Sequence, residues 1–561
     1  MILDRMIPAA AWLRSYQGRD VKDDITAGLI VAIMLVPQGM AYAMLAGLPP
    51  VTGLYAATIP IFVYALFGSS RHLAVGPVAV VSLLVFSSCS KLAPPGTAEY
   101  IGLTLMLALM VGVIQLALGV LRLGFLTNFF SHAVISGFTS AAAVIIILSQ
   151  LKLFLGIKGA AGHASFHLAR DIIENLGTTH GATLIIGVSS IAILVLLRKK
   201  YPIFPASLLV AVGWTVCAWA LDLHNTGVQI VGTVPRGLPL FSLPLFETKT
   251  IMILAPAAFT IFFVGYMEAL AVAKIIAAKK QYTVDPDQEL RALGLANISA
   301  SFFSAYPVTG GFSRTAVYYE AGGKTALSSI VTACIVLMTI LFLTPLFYYL
   351  PTAVLAAIII TAVFGLIDVT TAKDLFTIKQ IDGWTLVLTF CSTLVFSPVR
   401  GLLIGLAFSL GVFIWRSAYP HIVELGYLGK DDVFRNVKRF PDSATYPHVV
   451  ILRIDAPLYF ANMKFLEDRL HRAVIEKPGL QWIILDMADV SDIDAVAIHT
   501  LEHLMANYGE RNIDFAFTDM IGPVRDLVEK AGWNEKYGDK LKYLSVKHAL
   551  RAIGAMKWQS Q

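Results

Sequence analysis

Apolar stretches of nearly membrane-crossing length follow one another from residue 25 to residue 416, and they constrain the fold more than any other feature. A helix needs about 20 apolar residues to cross a bilayer, and by this measure we predict about fourteen spans. The predicted spans lie at 25–45, 51–69, 76–90, 100–121, 128–155, 181–198, 203–221, 251–277, 288–304, 312–320, 325–349, 352–367, 382–398 and 400–416. Because 57% of the residues are hydrophobic and only 14% are charged, a chain that is soluble throughout its length is excluded. The sequence therefore predicts a polytopic α-helical membrane protein.

Basic residues in the loops between these spans predict the orientation of the chain. They collect on one side of the predicted membrane, at Arg14, Arg19, Lys22, Arg71, Arg122, Arg198, Lys199, Lys200, Lys279, Lys280, Lys324, Lys373 and Lys379. The positive-inside rule then places both termini in the cytoplasm. Since 1–24 contains no cleavable signal, we expect a cytoplasmic N-terminal segment there and a multi-pass protein of the cell (inner) membrane. These loops also explain the net charge of +6, which gives no indication of nucleic-acid binding.

The third and tenth predicted spans are too short to cross the membrane as plain helices. The third begins with a Gly-Pro pair in AVGPVAVVS (74–82), and the tenth follows a proline and two glycines in YPVTGGFSRTAV (306–317). Interrupted helices at matching places in two halves indicate a transporter site at mid-membrane, in an inverted repeat of seven plus seven spans. Sequence identity between the halves is weak, so the support for this repeat is positional.

The start of the tenth span has the features of an anion site. Ser313 or Thr309 can cap the new helix. Arg314 falls in its first turn, where the helix dipole disfavours a cation. This position is explained if an anion lies between the dipole and the guanidinium, because unpaired N–H groups at a helix N-terminus bind anions. Glycine and proline also kink ordinary membrane helices, so this interpretation depends on the two interrupted spans together with Arg314.

Glu268 is the most informative ionisable residue in the predicted spans. It lies near the middle of the span 251–277, where such a side chain costs about 2.5–3.5 kcal/mol and is a functional candidate. One interpretation is a structural ion pair or a hydrogen bond to a neighbouring helix. The other is a group that binds a coupling cation, either a proton or sodium, and faces the anion site.

The first span carries two further polar candidates in LVPQGMAYAMLAG (35–47). Gln38 and Tyr42 are one helical turn apart and are expected to face the same way. Gln38 offers an amide donor, and Tyr42 offers a ring wall with a hydroxyl group. A lone glutamine in a membrane helix more often bonds a neighbouring helix, so the alternative role stays open.

The character of the chain changes after about residue 417. We predict a membrane domain at 25–417, a polar linker at 418–447 and a soluble α/β domain at 448–561. Buried strands are predicted at 449–455, 482–487 and 513–519, and helices at 462–476, 494–509 and 521–532. Strands and helices that alternate in this way predict a sheet covered by helices.

No cofactor, metal site or enzymatic activity is expected from the sequence. The cysteines Cys89, Cys217, Cys334 and Cys391 lie within apolar spans and share no metal-ligand spacing. The order H-x-x-E-H at 499–503 matches some zinc proteases, but it lies in a predicted soluble helix with no third ligand apparent. A nucleophile–base pair and a nucleotide-binding loop are also missing from the sequence.

The motifs along the chain resemble those of the SulP family of anion transporters. The resemblance is carried by VPQGMAYAMLAGLPPVTGLYAA (36–57), AVGPVAVVSLL (74–84), the span around Glu268 and YPVTGGFSRTAV (306–317), which stand in family order. The C-terminal part resembles a STAS domain, a module shared with anti-sigma-factor antagonists. In those antagonists a phosphorylatable serine follows an aspartate, whereas this chain has Asp494 and Ala495, so a phosphorylation switch is not expected there.

The resemblance implies a fold of fourteen spans in which a core subdomain moves against a gate subdomain. It further implies that the anion lies between the N-termini of spans three and ten, and that members form homodimers. The implied substrate-binding residues are Gln38, Tyr42, Val78, Ala79, Ser313 and Arg314. Of these, Val78 and Ala79 would contribute backbone N–H groups. Glu268 matches the acidic position associated with cation coupling.

We therefore predict a secondary active transporter of small inorganic anions, most simply a proton-coupled sulfate symporter that works by alternating access. The alternative is sodium-coupled bicarbonate transport, or transport of chloride or dicarboxylates. A more distant alternative is an anion channel or a membrane sensor that signals through its STAS domain. An intramembrane acid argues against a passive channel, because its cost fits a coupled cycle better. The anion, the coupling ion and any partner of the STAS domain stay open.

Overall fold

The computed structural model describes residues 8–14, 16–125, 131–157, 165–201, 204–244 and 247–556. The first residues of two predicted spans, 128–130 and 203, and both ends of the chain lie outside this part. The chain divides into two compact units, Met1–Ser409 and Leu410–Gln561. Each unit is described by itself below.

The first half of the membrane unit is helical except for one short strand. Its elements are α1 (Pro8–Arg14), α2 (Asp20–Leu45), α3 (Pro50–Tyr55), α4 (Ile59–Phe67), β1 (Val75–Gly76), α5 (Ala79–Cys89), α6 (Ala98–Val120), α7 (His132–Leu155), α8 (Ser165–Glu174), α9 (Gly181–Lys200) and α10 (Ala206–Ala220). In hydrocarbon each backbone group must find a partner within its own segment, which is why the long apolar runs become helices. The amphipathic helix α8 was not predicted from the sequence.

The second half of the membrane unit repeats this organisation. Its elements are α11 (Thr248–Lys279), α12 (Pro286–Phe302), β2 (Thr309–Gly310), α13 (Phe312–Glu320), α14 (Leu327–Met338), α15 (Thr352–Phe364), α16 (Val369–Ile378), α17 (Gln380–Val395) and α18 (Pro398–Ala418). The helix α16, between two predicted spans, was not predicted. In each half, a two-residue strand leads into a short helix, α5 or α13, where the sequence predicts an interrupted span.

Nine helices in the described part of the chain are long and apolar enough to cross a membrane, and α5 and α10 are shorter apolar helices. The predicted number of about fourteen is not reproduced by this criterion. The reason is physical: several predicted spans, α5 and α13 among them, are too short to cross the bilayer alone. The count of spans therefore stays a prediction.

The second unit contains a five-stranded sheet with helices around it. Its elements are β3 (Ile422–Leu428), β4 (Val433–Asn436), β5 (Val449–Ile454), α19 (Met463–Glu476), β6 (Trp482–Asp486), α20 (Ala495–Gly509), β7 (Asp514–Thr518), α21 (Gly522–Lys530), α22 (Trp533–Leu541) and α23 (Val546–Ala552). The strand order is β4-β3-β5-β6-β7, with β5, β6 and β7 parallel. The three predicted strands and the three predicted helices are confirmed within one or two residues at each end.

The segment 418–447 differs from the predicted linker. It contains β3 and β4, which pair antiparallel with each other, and β3 pairs in turn with β5. The two strands were missed because β4 has four residues, two of them polar, and because the turn between the strands carries charged residues. A polar composition at a sheet edge does not prevent strand formation when one face alone is buried.

Candidate functional site

A two-residue ladder joins the two interrupted helices of the membrane unit. In this ladder Val75 of β1 pairs with Gly310 of β2, and Gly76 pairs with Thr309, in antiparallel register. Because the strands run in opposite directions, α5 and α13 leave the ladder in opposite directions, and both begin at it. The N-termini of the two helices therefore converge on one place, as the sequence predicts for a mid-membrane site.

The first-turn N–H groups of both helices have no acceptor within their own helix. In α5 the first intrahelical bond runs from Ser82 N–H to the carbonyl of Val78, at 3.0 Å. In α13 the corresponding bond joins Thr315 N–H to Gly311 O, at 3.1 Å. Ala79 therefore belongs to the free first turn of α5, and Ser313, which is partly exposed, belongs to that of α13. Each such terminus carries about half a positive charge.

The predicted capping of α13 by Ser313 or Thr309 is wrong. The helix begins after Gly311 without a side-chain cap. The hydroxyl group of Thr309 instead donates to the carbonyl oxygen of Gly265 in α11, at 2.5 Å. The extended strand before the helix directs this side chain toward α11, so it cannot reach the first turn. The first-turn N–H groups are thus left for another partner.

Arg314 links the start of α13 to the chain segment before α5. It is 3% exposed, and its Nη1 atom donates to the carbonyl oxygen of Pro77 at 2.8 Å. Its Nε and Nη2 atoms are buried and have no hydrogen-bond partner in the described part of the chain. A buried donor without a partner costs about 1–3 kcal/mol, and more when it is charged. The arginine therefore brings two unused charged donors to the meeting point of the two helices.

Tyr42 approaches the same place from α2, and Gln38 lies one helical turn before it on that helix. Both side chains are buried, and the Oε1 atom of Gln38 has no partner among the described residues. The neighbouring helix position, Gly39, packs against Pro77, since a Cβ placed there would lie 3.7 Å from the proline Cγ. Tyr42 lies close enough to Arg314 and Glu268 to interact with them electrostatically.

Glu268 approaches from α11, one turn beyond the Gly265 carbonyl that Thr309 contacts. Its side chain is partly buried, and its Oε2 atom is buried without a partner in the described residues. Arg314 is close enough to interact electrostatically with it. The structure therefore brings together side chains from α2, α11 and α13 that the sequence named separately. Among the described residues they have unused hydrogen-bonding atoms of both kinds, donors on Arg314 and acceptors on Gln38 and Glu268.

A groove runs along the seam between α11 and α13. At one end it is lined by Phe312, the residue before Ser313, and by Val272, one turn beyond Glu268. At the other end Lys279 and Tyr319 line it, with the lysine Nζ 5.7 Å from the centre of the tyrosine ring. The groove thus follows α11 from Val272 to Lys279, and none of the candidate site residues lines it.

Several residues of the site were not singled out from the sequence. Thr315 accepts the Ala74 N–H bond with its hydroxyl group at 3.0 Å, which holds α13 to the strand β1. The hydroxyl groups of Tyr306 and Ser82 lie 3.2 Å apart and join the approach to β2 with α5. These residues lie inside the two quoted motifs, but their partners are more than two hundred residues away in the chain. The motifs alone carry no signal for such pairing.

Two half-helices that converge on a charged side chain inside an apolar helical unit define a class of protein, the multi-pass membrane transporters with discontinuous helices. The Sulfate permease family profile matches residues 21–389, and the STAS domain profile matches residues 440–549. The chain belongs to the sulfate permease family.

Known relatives agree with this membership over nearly the whole chain. Sulfate transporter 4.1, chloroplastic, from Arabidopsis thaliana is 39% identical, over 98% of this chain and 82% of the relative. Probable sulfate transporter 4.2 from the same plant is 40% identical, over 98% of this chain and 84% of the relative.

Solved structures agree in fold. The murine Solute Carrier 26 family member A9 anion transporter, in the inward-facing state, superposes with a TM-score of 0.91 at 29% identity, covering 98% of this chain and 94% of that one. The transmembrane domain of a cyanobacterium bicarbonate transporter, BicA, has a TM-score of 0.61 at 23% identity and covers 71% of this chain. This second likeness concerns the fold alone.

Proposed function

We propose that the protein is a secondary active transporter that binds a small inorganic anion between the N-termini of α5 and α13. The observation that carries this proposal is Arg314, whose Nε and Nη2 atoms are buried without a partner where the two helices converge. An oxyanion there satisfies these donors and lies at two positive helix ends. Each helix end contributes about 0.3–1 kcal/mol, and up to ~2 kcal/mol when partly buried.

Within this site we assign the six predicted substrate-binding residues by what each one offers. Arg314 offers charged donors. The backbone at Val78, Ala79 and Ser313 is proposed to donate N–H bonds to the anion from the first turns of α5 and α13. Gln38 offers its amide group and Tyr42 its hydroxyl group. An amide and a hydroxyl that donate to oxygen suit an anion with several oxygen atoms, such as sulfate, which is also the substrate in the printed names of the plant relatives.

Glu268 is proposed as the group that couples transport to a cation. Its carboxyl group lies near Arg314, so the bound anion and the protonation of Glu268 affect each other electrostatically. A proton taken up by Glu268 removes a negative charge from beside the anion. We therefore propose symport of sulfate with protons, in which the core moves against the gate and exposes the site alternately on the two sides.

The assembly and location follow the same proposal. We propose a homodimer in the cell membrane, as the family resemblance implies. Both termini are proposed to lie in the cytoplasm, because the basic loops favour that orientation. No enzymatic step is part of the proposed cycle.

The proposal is tested with purified protein in liposomes, by measuring radiolabelled sulfate uptake under an inward proton gradient and then under an inward sodium gradient. We expect uptake driven by protons alone. Sodium-driven bicarbonate uptake without sulfate uptake would instead support the alternative, in which Glu268 helps to bind sodium. Passive sulfate flux that neither gradient accelerates would contradict coupled transport and favour a channel.

A further inference from the structure

Two buried polar side chains of α12 hold the chain segments that lead into the two half-helices. They are Glu289, 1% exposed, near the start of α12, and Asn297, fully buried, two turns further on. Eight residues of helix separate them along the axis by about 12 Å. Neither side chain is among the candidate anion-binding residues.

Asn297 holds the segment that enters β2. Its Oδ1 atom accepts the Val308 N–H bond at 2.8 Å, and its Nδ2 atom donates to the carbonyl oxygen of the same residue at 3.0 Å. Both backbone groups of one extended residue are therefore satisfied by one amide. Val308 directly precedes the ladder residue Thr309, so this contact fixes where β2 begins.

The amide of Asn297 also bonds a neighbouring helix. Its Nδ2 atom also donates to Oε1 of Gln115, in α6, at 2.9 Å. The side chain of Gln115 is 1% exposed. The Nδ2 atom also donates to the backbone carbonyl of Leu293 at 3.1 Å, and because a carbonyl only accepts, this bond favours the amide orientation that matches the N–H and C=O groups of Val308.

Glu289 holds the segment that leads toward β1. Its Oε1 atom accepts bonds from the backbone N–H groups of Ser69 and Ser70, at 2.8 and 2.9 Å, and from the Ser69 hydroxyl at 2.8 Å. Its Oε2 atom accepts the hydroxyl of Tyr64 at 2.7 Å. The carboxylate thus fixes the turn between α4 and the approach to the first half-helix.

The helix α12 is suited to this role because it packs at backbone distance on α6. A Cβ placed on Gly294 would lie 2.6 Å from the backbone nitrogen of Leu116, and one placed on Gly112 would lie 2.7 Å from Gly294 O. Such close contact between small residues leaves little freedom for one helix to slide on the other.

We propose that Asn297 and Glu289 are positioning residues, through which α12 sets the places of the N-termini of α5 and α13 relative to each other. In the described part of the chain the two half-helices are joined by the short ladder and by the Arg314, Thr315 and Tyr306 contacts beside it, and a common support on α12 helps to keep their free N–H groups converging. The proposal depends on the proposed function only in that these N-termini bind the transported anion.

The first test is hydrogen exchange of the full-length protein, followed by mass spectrometry of the segment 303–312. In Asn297→Leu the Val308 N–H group loses its acceptor, and we expect its exchange to become at least about tenfold faster. Asn297→Asp keeps the acceptor and should show a smaller increase. Ser301→Ala is the matched control, because Ser301 is equally buried on α12 but donates only to its own helix, at Ile298 O.

The second test is the concentration dependence of sulfate uptake. For Asn297→Leu and Glu289→Leu we expect the KM for sulfate to rise about tenfold, the equivalent of one hydrogen bond, while the maximal rate per folded molecule stays within about threefold. Glu289→Gln keeps an acceptor for the Ser69 and Ser70 N–H groups, so it should restore most of the affinity.

The outcomes separate positioning from a purely structural role. An unchanged KM for sulfate in Asn297→Leu and Glu289→Leu would overturn the proposal, whatever the maximal rate, because displaced helix N-termini must bind the anion more weakly. Unchanged exchange at Val308 in Asn297→Leu would overturn it as well.

If Asn297→Leu does not fold, Gln115→Met is measured instead, with a smaller change expected in the same direction. If the wild-type protein does not take up sulfate, the proposed function fails, and the exchange result alone decides the positioning role.

Discussion

Arg314→Gln is the substitution that tests the candidate site most directly. The guanidinium has one atom, Nη1, bonded to the Pro77 carbonyl, and two buried atoms without a partner in the described chain. Glutamine keeps an amide that can donate to the Pro77 carbonyl, but it removes the positive charge and the two unpartnered donors, Nε and Nη2. We therefore expect anion affinity to fall while the fold is retained.

The expected rise in the KM for sulfate follows from the hydrogen bonds that are lost. A hydrogen bond that involves a charged group contributes about 1.5–3 kcal/mol. A loss of about 2–3 kcal/mol corresponds to a rise in the KM for sulfate of roughly 30- to 150-fold, since 1.4 kcal/mol is a factor of ten. Arg314→Lys keeps the charge but loses the planar fork, so its KM should rise by about tenfold.

The assay is initial-rate sulfate uptake into liposomes across a range of sulfate concentrations. Arg400→Gln is a matched control, because Arg400 is exposed and lies outside the site, and the same charge is removed. A KM within twofold or so of the wild-type value for Arg314→Gln would refute the assignment of the two unused donors to the anion. An equal effect in the control would show instead that net charge, and not the site, determines the affinity.

Three further substitutions test other parts of the structure. Glu268→Gln should abolish uptake driven by a cation gradient while sulfate–sulfate exchange continues, and driven uptake at the wild-type rate would remove Glu268 from the coupling step. Gly311→Ala places a Cβ 2.8 Å from Arg314 Nη2, so the guanidinium must move and the KM for sulfate should rise by about tenfold or more. The control is Gly213→Ala, whose Cβ meets no atom within 4 Å and which should leave the KM unchanged. In the second unit, burial raises the pKa of Asp486 to about 6, and the nearby Asp519 adds to this effect. The folded state therefore binds the Asp486 proton more tightly than the unfolded state does. The free energy of unfolding consequently falls as the pH rises from about 4 to about 6. Asp486→Asn should therefore slow hydrogen exchange of the β6 amides at about pH 8 by roughly tenfold or more, with the difference shrinking toward about pH 5, and a difference independent of pH would contradict this cause.

Sequence reasoning reached the membrane class and the interrupted helices because both depend on local composition. Gly-Pro and Gly-Gly pairs break helices wherever they occur, so the starts of α5 and α13 are visible without tertiary information. The strands β5, β6 and β7 were predicted for the same reason, since each is a short apolar run between helices. In contrast, β4 has four residues, two of them polar, and the turn that joins it to β3 carries charged residues, a composition typical of a linker.

The contacts that build the site could not be predicted, because they join distant parts of the chain. The bond from Arg314 to the Pro77 carbonyl crosses 237 residues, and no local pattern identifies its acceptor. The capping of α13 was predicted wrongly for a related reason: Thr309 bonds Gly265 in α11, a tertiary contact that replaces the local one. Glu289 and Asn297 were overlooked although polar residues inside a predicted span are themselves a signal.

The buried polar residues of the membrane unit discussed here divide into two groups by how well they are satisfied. Each polar atom of Asn297 has a partner, and so has each carboxylate oxygen of Glu289, and all of those partners belong to the protein. Such side chains lower the free energy of one arrangement of the chain and are suited to support.

Arg314, Gln38 and Glu268 instead retain buried atoms without a partner in the described chain. Because unsatisfied groups are costly, they persist where a bound species satisfies them during part of a working cycle. The same apolar surroundings that raise the cost of these three side chains also strengthen their interactions with an anion and a proton. In the proposed mechanism, anion affinity and cation coupling therefore arise from the same side chains of α2, α11 and α13, and α12 holds the chain segments that lead to them.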